Sequence, residues 1–483
     1  MLFTSLEFVV FLPLVLLLFS VMPVAQRWAL LLLASYLFYG IWQPINLLYL
    51  GAVTVVVYCA GWALERAQAP SIRKALITVG LVALLGSLVV FKFYDFAASE
   101  LARSTSVLAL PRFSVSTPVG YSFYVFSASS YLIDIYVRRL RGTKSPGYVA
   151  LYVAWFPKIF AGPIERATAF LPQVAAGLRA DPQFAVLGLQ LIGWGLFKKV
   201  VIADNLAPLV DRNFAIVAFA SPIELLVSVY FFAFQIYCDF SGYTDIAVGV
   251  SRLFGLQLME NFRRPYLSRS TAEFWSERWH ISLGRWFRDY LYIPLGGSRT
   301  GRLRRYFNIM LVFVVSGLWH AGLGYGVGWT FLIWGALNGA YQWVGLATRG
   351  VWQWLGQWLP AVRESSVLTL LRILLTFHLI AISWIFFRAK SVVDALTVLR
   401  KIGSNLLEIP SLLVGYPFTA EHAIGFALIV LLLAVETLDE RRPLLQRLAA
   451  APTALRWSSY YLVIFGLLII GRWQAREFIY MQF

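Results

Sequence analysis

The sequence predicts an all-helical, polytopic integral membrane protein. Of its 483 residues, 59% are hydrophobic and only 13% are charged, whereas roughly 25% of the residues in a soluble domain are charged. The hydrophobic residues form long runs, and most basic residues lie between those runs. The formal net charge of +17 therefore indicates basic loops that orient helices in a membrane, not a nucleic-acid-binding protein.

The apolar runs predict roughly 11 to 13 spanning or re-entrant helices. Several runs are short or contain Pro and Gly, which favours tilted, broken or re-entrant helices that protein or water must cover. The first run lacks a basic leader and a small-residue cleavage site, so it predicts a retained helix. The runs lie near residues 7–22, 28–42, 45–63, 75–93, 117–137, 147–163, 183–203, 214–237, 307–325, 327–347, 367–387, 421–437 and 457–473.

The short loops predict the orientation of the first helices. Basic residues cluster near Arg27, in 66–74 and in 138–144, so we expect these loops in the cytoplasm and the N-terminus outside. The longest polar interruption, 263–305, contains ten arginines and only three acidic residues. By the same rule we expect this stretch at the cytoplasmic side of the membrane.

The stretch FWSERWHISLGRWFRDYLYIPLGG (274–297) is unusually polar and aromatic for such a chain. As one helix over 273–290, it would place His280 beside Glu273 and Glu277, where a carboxylate would fix the imidazole tautomer. The alternative is an interfacial helix with snorkelling arginines. The Pro and Gly residues of 291–297 predict a sharp end. The opposite, aromatic face would carry Trp275, Trp279, Leu283, Trp286 and Tyr290.

A second histidine, His320, lies about 13 residues into the apolar run that begins at Phe307. At ~1.5 Å per residue it would be roughly 20 Å deep, where a titratable group is a functional candidate. The alternative is a histidine hydrogen-bonded to a neighbouring helix. Ser316 lies one turn earlier and is either a nucleophile activated by His320 or a small interface residue. Glycines in 317–328 predict close helix packing or a broken helix.

Two carboxylates, Asp239 and Asp245, lie in otherwise apolar sequence. Such groups usually face a cavity or a basic partner, and Arg252, Arg288 or the arginines at 263–264 are candidates. Structural ion pairing and a direct role in a site are both compatible with this pattern. The two cysteines and four histidines show no close ligand spacing, so we expect no structural metal.

Taken together, these motifs resemble the membrane-bound O-acyltransferase family, in particular its bacterial polysaccharide-modifying branch, which includes alginate O-acetyltransferase membrane subunits. The resemblance covers most of the chain. It rests on YCDFSGYTDIAVGVSRLFG (237–255), ENFRRPYLSRSTAEFWSERWHISLGRWFRDYLYIPLGGSR (260–299) and SGLWHAG (316–322). Further matching segments are 117–136, 156–167, 193–211, 383–396 and the terminal REFIYMQF at 476–483.

The resemblance implies that His320 is catalytic and that His280 is a second active-site residue. It also implies one acyltransferase domain, with peripheral helices in 1–115, a catalytic core in 116–345 and C-terminal helices in 346–483. The chain departs from the family pattern at Ala321, where relatives have glycine, and at Asn338, where relatives often have histidine. The expected substrate-binding residues are Trp279, Arg288, Asp289, Asp239, Asp245, Ser316, Trp319 and Asn338.

The implied activity is transfer of an acyl group, typically acetyl, for O-acetylation of an exported polysaccharide such as alginate. The expected donor is a cytoplasmic thioester such as acetyl-CoA, whose anionic head would be drawn to the arginines of 263–305. No bound cofactor is expected. The implied partners are an extracytoplasmic transferase and polysaccharide machinery at the bacterial inner membrane, and the helices would surround a central funnel.

Two other functions compete with this one. A polysaccharide exporter or proton-coupled transporter would explain the helix number and use Asp239, Asp245 and His320 as a proton relay. No inverted repeat is visible to support it. An acyltransferase that modifies a lipid or a protein is the other alternative.

Overall fold

The computed structural model describes residues 1–41, 43–104, 117–299, 301–321, 328–358, 365–473 and 478–479. Side chains are described for these residues except 95–104, 352, 355, 356, 358, 445, 446 and 449. Every regular element in this part of the chain is a helix. The all-helical prediction is therefore confirmed.

Six described helices are long and apolar enough to cross a membrane, judged by their length and composition. Two shorter apolar helices, Leu6–Val21 and Thr453–Ile469, add to them. The multi-pass prediction is confirmed, and the remaining predicted crossings correspond to shorter or more polar helices. The six spans are Asn46–Arg66, Pro70–Tyr94, Pro182–Ala215, Pro222–Leu253, Ser366–Arg388 and Ala420–Arg441.

The chain divides into two compact units. The first contains Met1–Leu196, Phe240–Glu260 and the described residues of Trp473–Gln482. Its helices are α1 (Leu6–Val21), α2 (Arg27–Gly40), α3 (Asn46–Arg66), α4 (Pro70–Ser104), α5 (Tyr121–Tyr136), α6 (Pro146–Ala154), α7 (Ala167–Ala175) and α8 (Pro182–Leu196).

Two buried side chains of the first unit, Glu165 and Trp155, form hydrogen bonds to distant parts of the chain. The carboxylate of Glu165 accepts the backbone N–H of Met259 at 2.7 Å, and the Trp155 indole N–H donates to the Ser251 hydroxyl at 2.9 Å. These bonds join residues that are about 95 positions apart. They satisfy polar atoms for which the hydrocarbon of a bilayer offers no partner.

The second unit contains Phe197–Asp239 and Asn261–Arg472. A π-helical segment, Phe197–Ala203, leads into α9 (Asp204–Ala215). The next helix, α10 (Pro222–Leu253), belongs to the second unit up to Asp239 and to the first unit from Phe240. The later helices are α11 (Thr271–Glu273), α12 (Ile281–Phe287), α13 (Arg302–His320), α14 (Trp329–Ala347), α15 (Arg349–Trp358), α16 (Ser366–Arg388), α17 (Val392–Ser404), α18 (Ile409–Val414), α19 (Ala420–Arg441), α20 (Leu444–Ala450) and α21 (Thr453–Ile469).

Glycines bring α13 and α14 into backbone contact. A Cβ atom on Gly317 would lie 2.4 Å from the Phe331 carbonyl oxygen, and one on Gly335 would lie 2.4 Å from that of Phe313. Both distances are far below van der Waals contact, so only glycine allows this approach. Because Gly317 lies one turn before His320, the contact fixes the end of α13 that carries the histidine.

We expect Gly335→Ala to lower the stability of the protein by about 1–3 kcal/mol, because the added methyl meets backbone that cannot move aside. Gly345→Ala is the matched control, since it lies in the same helix and nothing lies within 4 Å of its added Cβ. That control is expected to be neutral or to stabilise the helix by roughly 0.5–1 kcal/mol. Thermal unfolding of both variants in one detergent checks the prediction, and equal midpoints would contradict it.

Candidate active site

The segment 273–290 is not one continuous helix, so that prediction is wrong. α11 ends at Glu273 and continues as a π-helical turn, Phe274–Arg278, after which the chain leaves helical geometry at Trp279. His280 has the left-handed backbone angles φ 44° and ψ 52°, and α12 begins immediately after it. A second π-helical turn, Arg288–Tyr292, follows α12. The prediction of a sharp end in 291–297 is confirmed by turns with positive φ at two glycines.

The break at His280 is held by a neighbouring segment of backbone. The Asn261 carbonyl accepts the Ile281 N–H at 2.9 Å, and the Arg263 N–H donates to the Arg278 carbonyl, also at 2.9 Å. These bonds replace intrahelical bonds that the break removes. The left-handed conformation costs a non-glycine residue about 1–3 kcal/mol and persists only where its surroundings enforce it.

The predicted carboxylate partner of His280 is replaced by an amide. The side-chain oxygen of Asn261 lies 3.1 Å from Nδ1 of His280. Glu273 instead forms an ion pair with Arg278 at 2.7 Å. The reason is the break itself, because the single-helix geometry that placed Glu273 beside the histidine does not form. Asn261 and His280 are both buried.

Ion pairs anchor this segment to the C-terminal end of α19. Arg278 binds Glu440 at 2.8 Å as well as Glu273, and its guanidinium also donates to the carbonyl of Arg264. Arg264 pairs with Asp439 and, at 2.6 Å, with Glu440. Arginine suits this role because its fork of donors binds carboxylates and carbonyls together.

His320 is the last residue of α13 and is only 3% exposed. Its ring lies 5.2 Å from those of Trp334 and Phe387, and it is stacked on Phe331 at 6.4 Å. The aromatic side chains restrict the orientation of the imidazole and exclude water from it. Residues 322–327, which contain most of the predicted glycine cluster, lie outside the described residues.

A cavity of about 610 Å³ has both His280 and His320 in its wall. Around the buried histidines the wall is aromatic, and elsewhere it is cationic. The aromatic and small side chains include Trp275, Trp279, Phe313, Ser316 and Trp334, and the cationic ones are Arg285, Arg288, Arg305 and Arg349. Because three of the arginines are exposed and both histidines are buried, the cavity has an open cationic end and a deep aromatic end.

Of the predicted site residues, five line this cavity: His280, His320, Trp279, Arg288 and Ser316. Trp319 lies next to the wall, with its ring 6.5 Å from that of His280. Asn338 lies behind the wall, where its side-chain oxygen accepts the indole N–H of Trp275 at 3.0 Å. Asp289 forms an ion pair with Arg288 at 2.9 Å.

The two predicted intramembrane carboxylates lie in different units. In the second unit, Asp239 binds Lys199 at 2.6 Å, and the same ammonium binds Asp204 at 2.9 Å. The expected arginine partners of Asp239 were therefore wrong, because the π-helical segment brings a lysine to it instead. In the first unit, Asp245 interacts electrostatically with Arg252, as predicted.

Several residues of the site were missed by the sequence interpretation. Asn261 and Arg349 lie 19 and 69 positions from His280 along the chain, and no spacing rule connects them to it. Trp275 was identified only as a member of the aromatic face of 273–290. The carboxamide of Asn261 at the start of a basic stretch was the one available signal, since a polar residue there needs a partner if buried.

The electrostatic character of the cavity changes along its length. Burial lowers the pKa of the His280 imidazole to about 3, so this histidine is neutral at physiological pH. Four guanidinium groups in the cavity wall, one of them paired with Asp289, give a net positive potential that attracts anions. Among the described residues, no group of three or more His, Cys, Asp or Glu side chains could hold a metal ion. The arrangement suits a ligand with an anionic head and an uncharged reactive end.

Sequence comparisons agree with this geometry. The profile of the MBOAT, membrane-bound O-acyltransferase family, matches residues 31–361. The chain is 36% identical over 452 residues to the probable alginate O-acetylase AlgI of Azotobacter vinelandii, covering 88% of this chain and 85% of that protein. It is 33% identical over 407 residues to the peptidoglycan O-acetyltransferase of Helicobacter pylori, covering 78% and 73%.

A more distant similarity points to the same chemistry. The teichoic acid D-alanyltransferase of Bacillus subtilis is 26% identical over 281 residues, which cover 56% of this chain and 69% of that protein. The D-alanyl group that this relative is named for transferring is also an acyl group. Of the terminal segment 476–483, which contributes to the resemblance, only Phe478 and Ile479 are among the described residues.

The buried state of His280 predicts how stability responds to acid. In the unfolded chain a histidine has a pKa near ~6.5, whereas burial lowers the pKa of His280 to about 3. Below pH ~6.5 the unfolded state therefore binds the extra proton, and stability falls as the pH approaches 3. Above pH ~6.5 no stability is lost through this group.

We therefore expect His280→Gln to lose less thermal stability than the wild type between about pH 7 and pH 5. Each proton bound only in the unfolded state changes the free energy of unfolding by ~1.4 kcal/mol per pH unit. Apparent unfolding midpoints in detergent measure the effect. His378→Gln, on an exposed face of α16, is measured beside it as the control for a histidine outside the cavity wall. A His280→Gln slope equal to that of the wild type would contradict the prediction.

Proposed function

Because the chain belongs to the membrane-bound O-acyltransferase family, we propose that it transfers acetyl groups from a cytoplasmic thioester for O-acetylation of an exported polysaccharide. It is a multi-pass membrane O-acetyltransferase. The observation that carries the mechanism is a cavity whose wall contains two buried histidines and four arginines, three of which are exposed. Its volume lies in the range of small-molecule sites, roughly 300–1,000 Å³.

His320 acts as the general base in this proposal. An alcohol is a poor nucleophile at neutral pH, so a positioned imidazole is needed to take its proton. The hydroxyl oxygen attacks the thioester carbonyl carbon while His320 takes the hydroxyl proton. Collapse of the tetrahedral intermediate then breaks the C–S bond, and the leaving thiolate takes up that proton from His320. An ester and a free thiol result, and the histidine returns to its neutral form.

The aromatic wall supports both the position of His320 and a small acyl group. Trp334 and Phe387 each lie 5.2 Å from the imidazole, ring to ring, and confine its rotation. Trp275 forms part of the cavity wall and is fixed by the hydrogen bond to Asn338. Rigid indole groups leave less room than flexible aliphatic side chains would, which favours acetyl over longer acyl groups.

The cationic end of the cavity favours a donor with phosphate groups. Arg285, Arg288, Arg305 and Arg349 line that end, and guanidinium groups bind phosphate through charge-assisted hydrogen bonds. Acetyl-CoA, or another phosphate-bearing thioester, meets this requirement. The basic stretch 263–305 supports a donor site at the cytoplasmic side, because basic segments favour that side by the positive-inside rule.

The acceptor lies on the other side of the membrane in this proposal. The AlgI and peptidoglycan O-acetyltransferase relatives carry names that refer to polymers outside the cytoplasm. An extracytoplasmic partner transferase would receive the acetyl group and pass it to the polymer, so the first acceptor hydroxyl belongs to that relay. The protein would work in the inner membrane beside the polysaccharide machinery.

The first test compares cells that produce wild type, His320→Ala or His378→Ala at matched protein level. We expect His320→Ala to lower polymer-bound acetyl ester about 10²- to 10⁴-fold, the range for loss of a general base, with polymer yield unchanged. His378→Ala is the control, because that histidine is exposed and binds Tyr230 outside the cavity wall. Unchanged acetylation in His320→Ala would refute the base assignment. Loss of the polymer itself would favour the exporter or proton-coupled transporter.

The second test concerns the donor. We expect Arg305→Gln to raise the KM for acetyl-CoA on the order of tenfold, as for loss of one charge-assisted hydrogen bond. Arg304→Gln is the matched control, since the neighbouring residue on α13 is exposed and does not line the cavity. Rates of thioester cleavage in purified protein measure both values. An equal KM in both variants would contradict a donor site at the arginines of the cavity wall.

A further inference from the structure

The orientation of the Asn261 side chain is fixed by a backbone group. The N–H of Ser282 lies 3.1 Å from one terminal atom of the Asn261 amide. A backbone N–H can only donate, so that terminal atom must be the oxygen and not the nitrogen. The Ser282 hydroxyl lies 2.8 Å from the same oxygen and donates to it as well. The amide of Asn261 therefore has one possible orientation.

The same oxygen determines which nitrogen of His280 carries hydrogen. Nδ1 of His280 lies 3.1 Å from it. A neutral imidazole has one N–H and one lone pair, and a lone pair on Nδ1 would face the lone pairs of the amide oxygen. Nδ1 must therefore be the donor. The neutral form itself follows from the burial of the ring, which lowers its pKa to about 3.

The imidazole of His280 is packed closely against its surroundings. The backbone of His280 is left-handed. It is fixed by the hydrogen bond that the next residue, Ile281, donates from its N–H to the Asn261 carbonyl at 2.9 Å. On one side the imidazole is stacked on the Phe262 ring at 6.2 Å with an interplanar angle of 26°. Both Asn261 and Ser282 are 1% exposed, so water does not compete for the amide oxygen.

We infer that Asn261 is a positioning residue that holds His280 in the Nδ1-protonated tautomer, which leaves the lone pair of the ring on Nε2. The role of this lone pair in catalysis rests on the proposed acyltransferase function, whereas the tautomer itself does not. Nε2 accepts a hydrogen bond or a proton, and it has no hydrogen to donate. His280 therefore does not donate a hydrogen bond to the oxyanion of the tetrahedral intermediate.

A ligand group that donates a hydrogen bond to this lone pair must carry an N–H or O–H. Two groups of the proposed reaction qualify: an amide N–H of the thioester donor and the hydroxyl of the acceptor. Kinetics of His280→Gln distinguish them. A raised KM for the donor with kcat little changed assigns the amide, and a lowered kcat with that KM unchanged assigns the hydroxyl.

The tautomer is measured directly by ¹⁵N NMR of the full chain in nanodiscs after selective ¹⁵N labelling of histidine. Only four histidines are present, and the difference between wild type and His280→Gln assigns the signals of His280. The expected spectrum has a protonated Nδ1, coupled to its hydrogen, and an unprotonated Nε2. A wild-type spectrum with hydrogen on Nε2 overturns the inference. This test uses the wild-type chain, so it does not depend on whether variants of Asn261 fold.

Variants of Asn261 test whether this residue sets the tautomer. Asn261→Asp keeps an acceptor oxygen and should keep hydrogen on Nδ1, whereas Asn261→Leu has a similar size and no acceptor and should lose that preference. Ser282→Ala removes a hydroxyl that donates to the Asn261 oxygen and also lies 3.5 Å from Nδ1 of His280. Because the Asn261 oxygen stays in place, hydrogen should remain on Nδ1 in this variant. An unchanged His280 spectrum in folded Asn261→Leu overturns the positioning role.

Activity separates this inference from the proposed function. We expect Asn261→Leu to lower kcat/KM tenfold or more, with Asn261→Asp closer to the wild type. If His280→Gln retains full transfer activity, the active-site role of His280 fails while the NMR result still decides the tautomer. If the tautomer is as expected and Asn261→Leu keeps full activity, the residue positions a ring that the reaction does not use, and the catalytic part of the inference is overturned.

Discussion

The site depends on one constraint, which is that backbone leaving helical geometry in this membrane protein must find its hydrogen bonds within the protein. The chain breaks at Trp279 and His280, and the freed groups are satisfied by the segment that begins at Asn261. The ion pairs of Arg264 and Arg278 with the end of α19 hold that segment. The left-handed backbone at His280 directs its side chain toward the cavity. Without this support, the backbone would return to a continuous helix.

The two histidines are placed by different physical means. His320 ends a helix whose position is set by backbone contact with α14, and aromatic rings confine its side chain. His280 is placed by a backbone break and by a hydrogen bond to Asn261. One cavity thus combines an imidazole confined by packing with an imidazole oriented by a polar partner. Both are buried, which strengthens electrostatic effects within the site.

Charge in this chain has separate structural and functional uses. Lys199, Asp204 and Asp239 form a buried ion cluster in which two carboxylates share one ammonium. Such clusters are costly to break because they leave an uncompensated buried charge. Three of the four arginines in the cavity wall are instead exposed, and one of these, Arg288, is paired with Asp289. A polar residue in apolar sequence is therefore a candidate for function, and its partners decide its role.

The sequence by itself determined the helical membrane architecture, the family and the two histidines, because hydrophobic run length and local motifs are properties of contiguous residues. It did not predict the break at His280, since the 3.6-residue period of 273–290 favoured a continuous helix. It also missed Asn261, Lys199 and Arg349 as partners. Only the tertiary structure decided these, because hydrogen bonds and ion pairs between distant segments override local helical preference when the backbone is buried.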